Sequence, residues 1–245
     1  MLKKIFDLDN PVMRFLSRAA DLMAVNLLAL LCCIPIVTAG ASLTAMYTIE
    51  LRWARGEEGY IIKPFFKAFK ENFKQATLEW LIALAAALVF YVDYTIFQEN
   101  PDTFPQAFQI FVMVIGMFLL LVFLWVIPLQ CRFVNTIGGT LRNAAILAVG
   151  KAPRSAGMLA CWAAAVLILW LSLTTELVSI FPLVLLFGLS LPGYLCCKLV
   201  RKPFSAYEPE EEAEENFEDL SDEEKEEAYR VLREESPLVT PETEE

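Results

Sequence analysis

The sequence predicts an all-α integral membrane protein with six transmembrane helices, the second of them short, cytoplasmic amphipathic basic segments and an acidic C-terminal tail. Hydrophobic residues make up 57% of the chain, and the mean hydropathy is +0.50. Several apolar runs approach the roughly 20 residues that cross a hydrocarbon core of about 30 Å. Because backbone polar groups inside lipid must be satisfied internally, runs of this length are expected to be helices.

The charge of the chain is divided between two regions, residues 1–202 and residues 203–245. The second region holds 18 acidic and 3 basic residues, which leaves 17 basic and 12 acidic residues in the first. We interpret 1–202 as a helical membrane domain and 203–245 as an acidic cytoplasmic tail, mostly disordered because it has too few apolar residues for a core. A capping box that begins at Ser221 predicts a short helix near 222–233. Nothing in this charge balance points to nucleic acid.

The first crossing is predicted at Leu22–Thr38 and the second, short one at Ser42–Arg55. Between them, Pro35 disfavours helix and Gly40 takes positive φ at little cost, so we interpret this stretch as a tight turn. The alternative is one continuous first span and five crossings in total. Lys and Arg stay on the cytoplasmic side of short loops, and five crossings would place two basic segments on opposite sides. Six crossings with both termini cytoplasmic are therefore predicted.

A basic stretch with four phenylalanines precedes the third crossing. Helical periodicity places the phenylalanines on one face, opposite the lysines. This pattern is typical of an interfacial helix whose lysines bind the anionic headgroups of the lipid bilayer. An ordinary N-terminal extension of the next crossing fits equally well, and a docking surface for a cytosolic partner is a third interpretation. The candidate interfacial residues are Phe65, Phe66, Lys67, Phe69, Lys70, Phe73 and Lys74.

Four further crossings complete the prediction. They are expected at Ala76–Ile96, Ala107–Ile127, Met158–Leu173 and Leu177–Leu195. The loop after the first of these has no Lys or Arg and is expected outside. Pro128 is expected to end the fourth crossing, and the proline-broken runs at Pro35 and Pro182 are candidate broken helices of the kind that form transporter sites, although a tolerated proline is the simpler interpretation.

Four polar residues lie within or beside the predicted spans. Ionisable groups in a span are costly and therefore candidates for function. Positions near the span ends weaken this interpretation, because carboxylates there reach headgroups or pair with neighbouring Arg and Lys. The candidate intramembrane polar residues are Asp21, Asn26, Glu79 and Asp93.

No catalytic, cofactor-binding or metal-binding residue is expected. The sequence contains no histidine, no nucleophile motif, no glycine-rich phosphate loop and no C-x-x-C spacing. We interpret the six cysteines as small apolar packing residues. Lipidation of Cys196 and Cys197 is the alternative for that pair. The sequence therefore predicts a non-enzymatic protein without cofactors.

Four stretches of the chain together resemble the YesL family. They are Phe6–Pro11 (FDLDNP), Leu31–Ser42 (LCCIPIVTAGAS), Glu58–Tyr60 (EGY) and Phe69–Thr77 (FKENFKQAT). The resemblance runs over roughly residues 1–202 and is strongest in the first 80. It implies a small multi-pass protein of a bacterial cell membrane, in a family without an established function whose members are often encoded beside carbohydrate importers.

From this resemblance we expect an accessory or scaffold component linked to carbohydrate uptake, with subunits of a carbohydrate importer as candidate partners. The resemblance supplies no catalytic residues. The alternative is a small transporter or channel whose pathway is lined by the polar intramembrane residues.

Overall fold

The computed structural model describes residues 11–57, 59–100, 103–133, 135–174 and 179–205. These residues form α-helices and a short 3-10 helix at Ile36–Thr38, and they include no strand. The predicted tail helix near 222–233 lies outside them. The α-helices are α1 (Pro11–Cys33), α2 (Ala39–Arg55), α3 (Ile62–Glu99), α4 (Gln106–Arg132), α5 (Ile137–Gly150), α6 (Ala152–Thr174), α7 (Phe181–Phe187) and α8 (Ser190–Ser205).

The chain divides into two compact units, residues 1–201 and residues 202–245. Of the second unit, the structure describes only 202–205, the end of α8. The fold described below is that of the first unit.

Four helices, α1, α3, α4 and α6, are long and apolar enough to cross a membrane. The pair α7 and α8, bent by 45°, makes a fifth if it is counted as one span. Large apolar side chains are exposed along α4 and along the second half of α3, which is the pattern of helices that face lipid. The chain is therefore an all-helical membrane protein with four or five candidate spans among its described residues.

The predicted second crossing, α2, does not qualify as a span by length and composition. It has 17 residues, about 26 Å of helix at 1.5 Å per residue. Nearly all of its residues are buried, because α1, α3 and α4 pack around it. A helix enclosed by protein does not need apolar side chains on every face, so Ser42, Thr44 and Glu50 are found on it. The helix at the centre of the fold is thus one of the less apolar helices.

Helices α1 and α2 form an antiparallel hairpin, with Pro35 in the turn between them. At the closed end, the Ser42 hydroxyl donates to the Ala29 carbonyl at 2.8 Å. At the open end, the guanidinium carbon of Arg18 lies 5.1 Å from the ring centre of Trp53. The predicted reversal of the chain near Pro35 is therefore present.

The conformation predicted for Gly40 is wrong. Gly40 lies in the first turn of α2, and among the described residues only Gly56 has positive φ, at 95°. The 3-10 turn at Ile36–Thr38 reverses the chain without a left-handed residue. What Gly40 provides is space: a Cβ added there would overlap the Cβ of Trp80 and lie 2.5 Å from the Ala76 carbonyl oxygen. Helices α2 and α3 are in contact at this point because the side chain is absent.

The basic stretch is the first part of α3 and not a separate interfacial helix. Helix α3 runs without a break through 38 residues, about 57 Å. Its sequence contains no glycine, and its one proline, Pro64, lies in the first turn, where proline is tolerated. Of the predicted interpretations, the N-terminal extension of the following crossing agrees with this geometry.

Two prolines do not end or break a helix at the positions where the sequence predicted this. Pro128 lies inside α4, which continues to Arg132. Pro182 lies in the first turn of α7, a position that suits proline. The break in the last predicted crossing falls instead at Gly188 and Leu189, between α7 and α8.

Candidate functional site

The most unusual side chain in the described core is Glu50, near the end of α2. It is fully buried, and its Oε1 atom has no hydrogen-bond partner. Its Oε2 atom lies 4.0 Å from the Cys197 thiol of α8. A buried carboxyl group with an unpaired oxygen is costly, so such a group is a candidate for function.

Gly193 of α8 makes room for this carboxyl group. A Cβ at position 193 would overlap Oε2 of Glu50 and would lie 3.0 Å from the Met46 methyl carbon. Close contact between α8 and α2 therefore depends on glycine at this position.

Two more polar groups on α2 lie close to Glu50 in the sequence. Trp162 of α6 donates its ring N–H to the Tyr47 hydroxyl at 3.2 Å. The Cys131 thiol of α4 donates to the Thr44 carbonyl at 3.2 Å. Thr44, Tyr47 and Glu50 follow one another at three-residue spacing, which places them along one side of the helix. This spacing of polar residues in a helix rich in small residues is the sequence signal for the site.

Asn26 of α1 holds the break between α7 and α8. Its Oδ1 accepts hydrogen bonds from the backbone N–H groups of Leu189 and Ser190, both at 2.9 Å. Its Nδ2 donates to the Leu185 carbonyl at 2.8 Å. The side chain thus satisfies N–H groups at the start of α8 and a carbonyl near the end of α7, which a helix break leaves without intrahelical partners. Asn26, predicted as a candidate intramembrane polar residue, therefore joins α1 to the break between α7 and α8.

Glu79 of α3 is also held by hydrogen bonds within the protein. Gln75, one turn earlier, donates to Oε1 at 3.0 Å. The Gln130 amide, oriented with its nitrogen toward Glu79, donates to Oε2 at 2.6 Å, and its oxygen accepts from the Ala76 N–H at 3.1 Å. These contacts join α3 to the end of α4. Both oxygens of the Glu79 carboxylate are paired.

The two aspartates of the predicted set lie in different settings. Asp21 is 3.9 Å from Arg18 on the same helix and is partly exposed. Asp93 lies on the wall of a mainly apolar cavity of about 690 Å³ between α3 and α4. The structure therefore does not bring Asp21, Asn26, Glu79 and Asp93 together into one site.

The candidate interfacial residues lie in different surroundings. Phe65 is fully buried in the protein, whereas Phe66 is 47% exposed. Phe69 packs against Phe73, with ring centres 5.5 Å apart. The lysines point away from the core: Lys67 is 76% exposed and lies 4.0 Å from Glu71, and Lys70 and Lys74 are also exposed. The lysine face is therefore exposed, whereas part of the opposite, phenylalanine face is buried against the rest of the protein.

The part of the chain that the structure describes brings no three His, Cys, Asp or Glu residues close enough to hold a metal ion. Residues 22–94 match a family described as a protein of unknown function, DUF624. This segment contains the second half of α1, all of α2 and most of α3, and it includes Asn26, Gly40, Glu50 and Glu79. No curated protein and no solved structure matches the chain. The N-terminal part of the chain is thus similar to an uncharacterised family, over less than half of the chain.

Proposed function

We propose that the chain is a non-enzymatic integral membrane protein that serves as an accessory or scaffold component linked to carbohydrate uptake. The observation that carries the proposal is the hydrogen bonding of the polar residues predicted within or beside the spans. Asn26 and Glu79 are bound within the protein by hydrogen bonds that join helices, which supports a structural role for them over a place in a pathway. The bacterial cell membrane and the link to carbohydrate uptake come from the resemblance to the YesL family.

The contact surface that we assign to this role is the exposed lysine face on the first part of α3. Lys67, Lys70 and Lys74 lie on a helix that continues directly into the apolar part of α3. We place this face and both termini in the cytoplasm, because Lys and Arg gather on that side of short loops. Anionic lipid headgroups and importer subunits are the partners that this face would bind.

Purification of the full chain from native bacterial membranes in mild detergent tests the proposal. We expect subunits of a carbohydrate importer to co-purify with it. The variant with Lys67→Gln, Lys70→Gln and Lys74→Gln should lose them at equal yield, and Lys151→Gln, at the junction of α5 and α6, serves as the control that keeps them. Absence of importer subunits, or their retention by the triple variant, would contradict the proposed role of this face.

One observation favours the alternative of a small transporter or channel: the unpaired buried oxygen of Glu50. The test is flux of sugars and monovalent cations into proteoliposomes that contain the purified chain. The accessory role predicts no flux above that of protein-free liposomes. Flux that is lost in Glu50→Gln and kept in Asp93→Asn would instead establish the transporter, with Glu50 as its pathway residue.

A further inference from the structure

The contacts of α3 show which of its residues lies level with the turn of the α1–α2 hairpin. Helices α2 and α3 are antiparallel, because a linker of six residues joins them and Gly40 packs on Ala76 at the other end. The Trp80 ring N–H donates to the Ile36 carbonyl at 2.8 Å. Since Ile36 lies in the hairpin turn, α3 reaches the level of this turn at Trp80.

Beyond Trp80, α3 continues for 19 residues to Glu99, about 28 Å of helix. Helix α4 runs back beside it: the rings of Phe97 and Phe108 are 6.0 Å apart, and those of Trp80 and Phe123 are 5.9 Å apart. Residues 81–96 and 107–120 contain one charged residue, Asp93, and most of their large apolar side chains are exposed. This paired segment has the length and composition of a full crossing.

The part of α3 that lies beside α2 has the opposite character. It carries Lys63, Lys67, Lys70, Glu71 and Lys74, all exposed. If the α1–α2 hairpin crossed the hydrocarbon core, these side chains would lie at the same depth in the core. Each lysine near the middle would then cost about 2.5–3.5 kcal/mol on insertion scales.

We infer that the α1–α2 hairpin does not cross the membrane and instead enters the lipid leaflet on the basic side with its turn. The turn is apolar and open: Ile34 is 75% exposed, Ile36 69% and Val37 51%. Lys74 precedes Trp80 by six residues, about 9 Å along the helix. The headgroup layer on each side is about 5–8 Å thick. With the turn in the acyl region, Lys74 meets anionic headgroups while Lys67 lies in water.

This inference replaces two of the six predicted crossings. Helix α1 passes the length and composition test for a span, but its contacts with α2 tie it to the level of the lysine-bearing part of α3. In this position the exposed isoleucines and valine of the turn contact lipid, and they do not reach water on the far side of the membrane.

An impermeant maleimide on intact cells tests the inference, with each labelled cysteine located by mass spectrometry so that the native cysteines remain in the full chain. Three single variants are compared: Thr103→Cys in the loop between α3 and α4, Lys67→Cys on the lysine face, and Val37→Cys in the turn. We expect Thr103→Cys to react on intact cells and Lys67→Cys to react only after the membrane is opened. On intact cells, Val37→Cys should react at least tenfold less than Thr103→Cys. Once the membrane is opened, it should still react less than Lys67→Cys.

Three other labelling results would each contradict one part of the inference. Equal labelling of Val37→Cys and Thr103→Cys on intact cells would show that the hairpin crosses. Full labelling of Val37→Cys after opening would show that the turn lies in water and not in lipid. Failure of Thr103→Cys to react from outside would show that α3 and α4 do not cross. Because Thr103 and Lys67 lie on the surface, these two variants test the protein even where Val37→Cys is poorly produced.

Discussion

Replacing Asn26 with leucine is expected to lower the free energy of unfolding by about 4 kcal/mol, the largest effect among the substitutions considered. Leucine has a similar volume but leaves the Leu185 carbonyl and the N–H groups of Leu189 and Ser190 without the partner they now have. An unsatisfied buried polar group costs about 1–3 kcal/mol. Thermal unfolding of the purified protein in detergent measures the loss.

The matched control is Ser42→Ala. Ser42 is as fully buried as Asn26, but it donates only one side-chain hydrogen bond, to the Ala29 carbonyl. Its loss is expected to cost about 1 kcal/mol. Equal melting temperatures for Asn26→Leu and Ser42→Ala would mean that Asn26 does not hold the break between α7 and α8.

Gly40→Ala is expected to destabilise the protein by about 1–3 kcal/mol, the range for overpacking a close contact. Even a methyl group at this position meets the Trp80 Cβ and the Ala76 carbonyl oxygen, neither of which is the end of a flexible side chain. The larger Gly40→Val substitution should cost more and should lower the membrane yield. Thermal unfolding of the two variants beside the parent chain measures the effect.

Gly138→Ala is the control for this prediction. Gly138 is also helical, in the first turn of α5, and a Cβ there would meet nothing within 4 Å. Alanine in an open helical position stabilises by roughly 0.5–1 kcal/mol relative to glycine. If Gly40→Ala also raised the melting temperature, then α2 and α3 would not be in the close contact described above.

The class of the protein and the limits of its most apolar helices were predictable from the sequence. The helix predicted at Ala107–Ile127 lies within α4, and the loop predicted at residues 98–106 agrees with the end of α3 at Glu99 and the start of α4 at Gln106. These limits follow from local chemistry, since long apolar runs form helices in lipid and Pro105 lies directly before the start of α4.

The roles of Asn26 and Gly40 were not predictable, because each depends on residues distant in the sequence. Asn26 contacts backbone groups more than 150 positions away. Gly40 was assigned to a turn from its intrinsic φ preference, although its small size serves helix packing. Glu50 has a sequence signal in the spacing of polar residues on α2, but it was overlooked because α2 was interpreted as a short crossing and not as a core helix.

The number of crossings shows a limit of the charge rule itself. Lys and Arg report on which side of the membrane a loop lies, and therefore whether the number of crossings between two loops is odd or even. A hairpin contributes two crossings or none. Both outcomes leave every basic residue on the same side, so the distribution of charge does not distinguish them.

The unbroken length of α3 has a mechanical consequence. A helix of about 57 Å whose second half lies in lipid and whose first half packs on α2 through Gly40 behaves as a lever. Transmembrane helices are tilted on average by about 20° from the bilayer normal, and this tilt adapts to the thickness of the bilayer. Helix α3 begins about 27 Å before Trp80, so a change of about 20° in tilt about Trp80 would move this end sideways by roughly 9 Å. We therefore expect the lysine face and the α1–α2 hairpin to move together when the tilt of α3 changes.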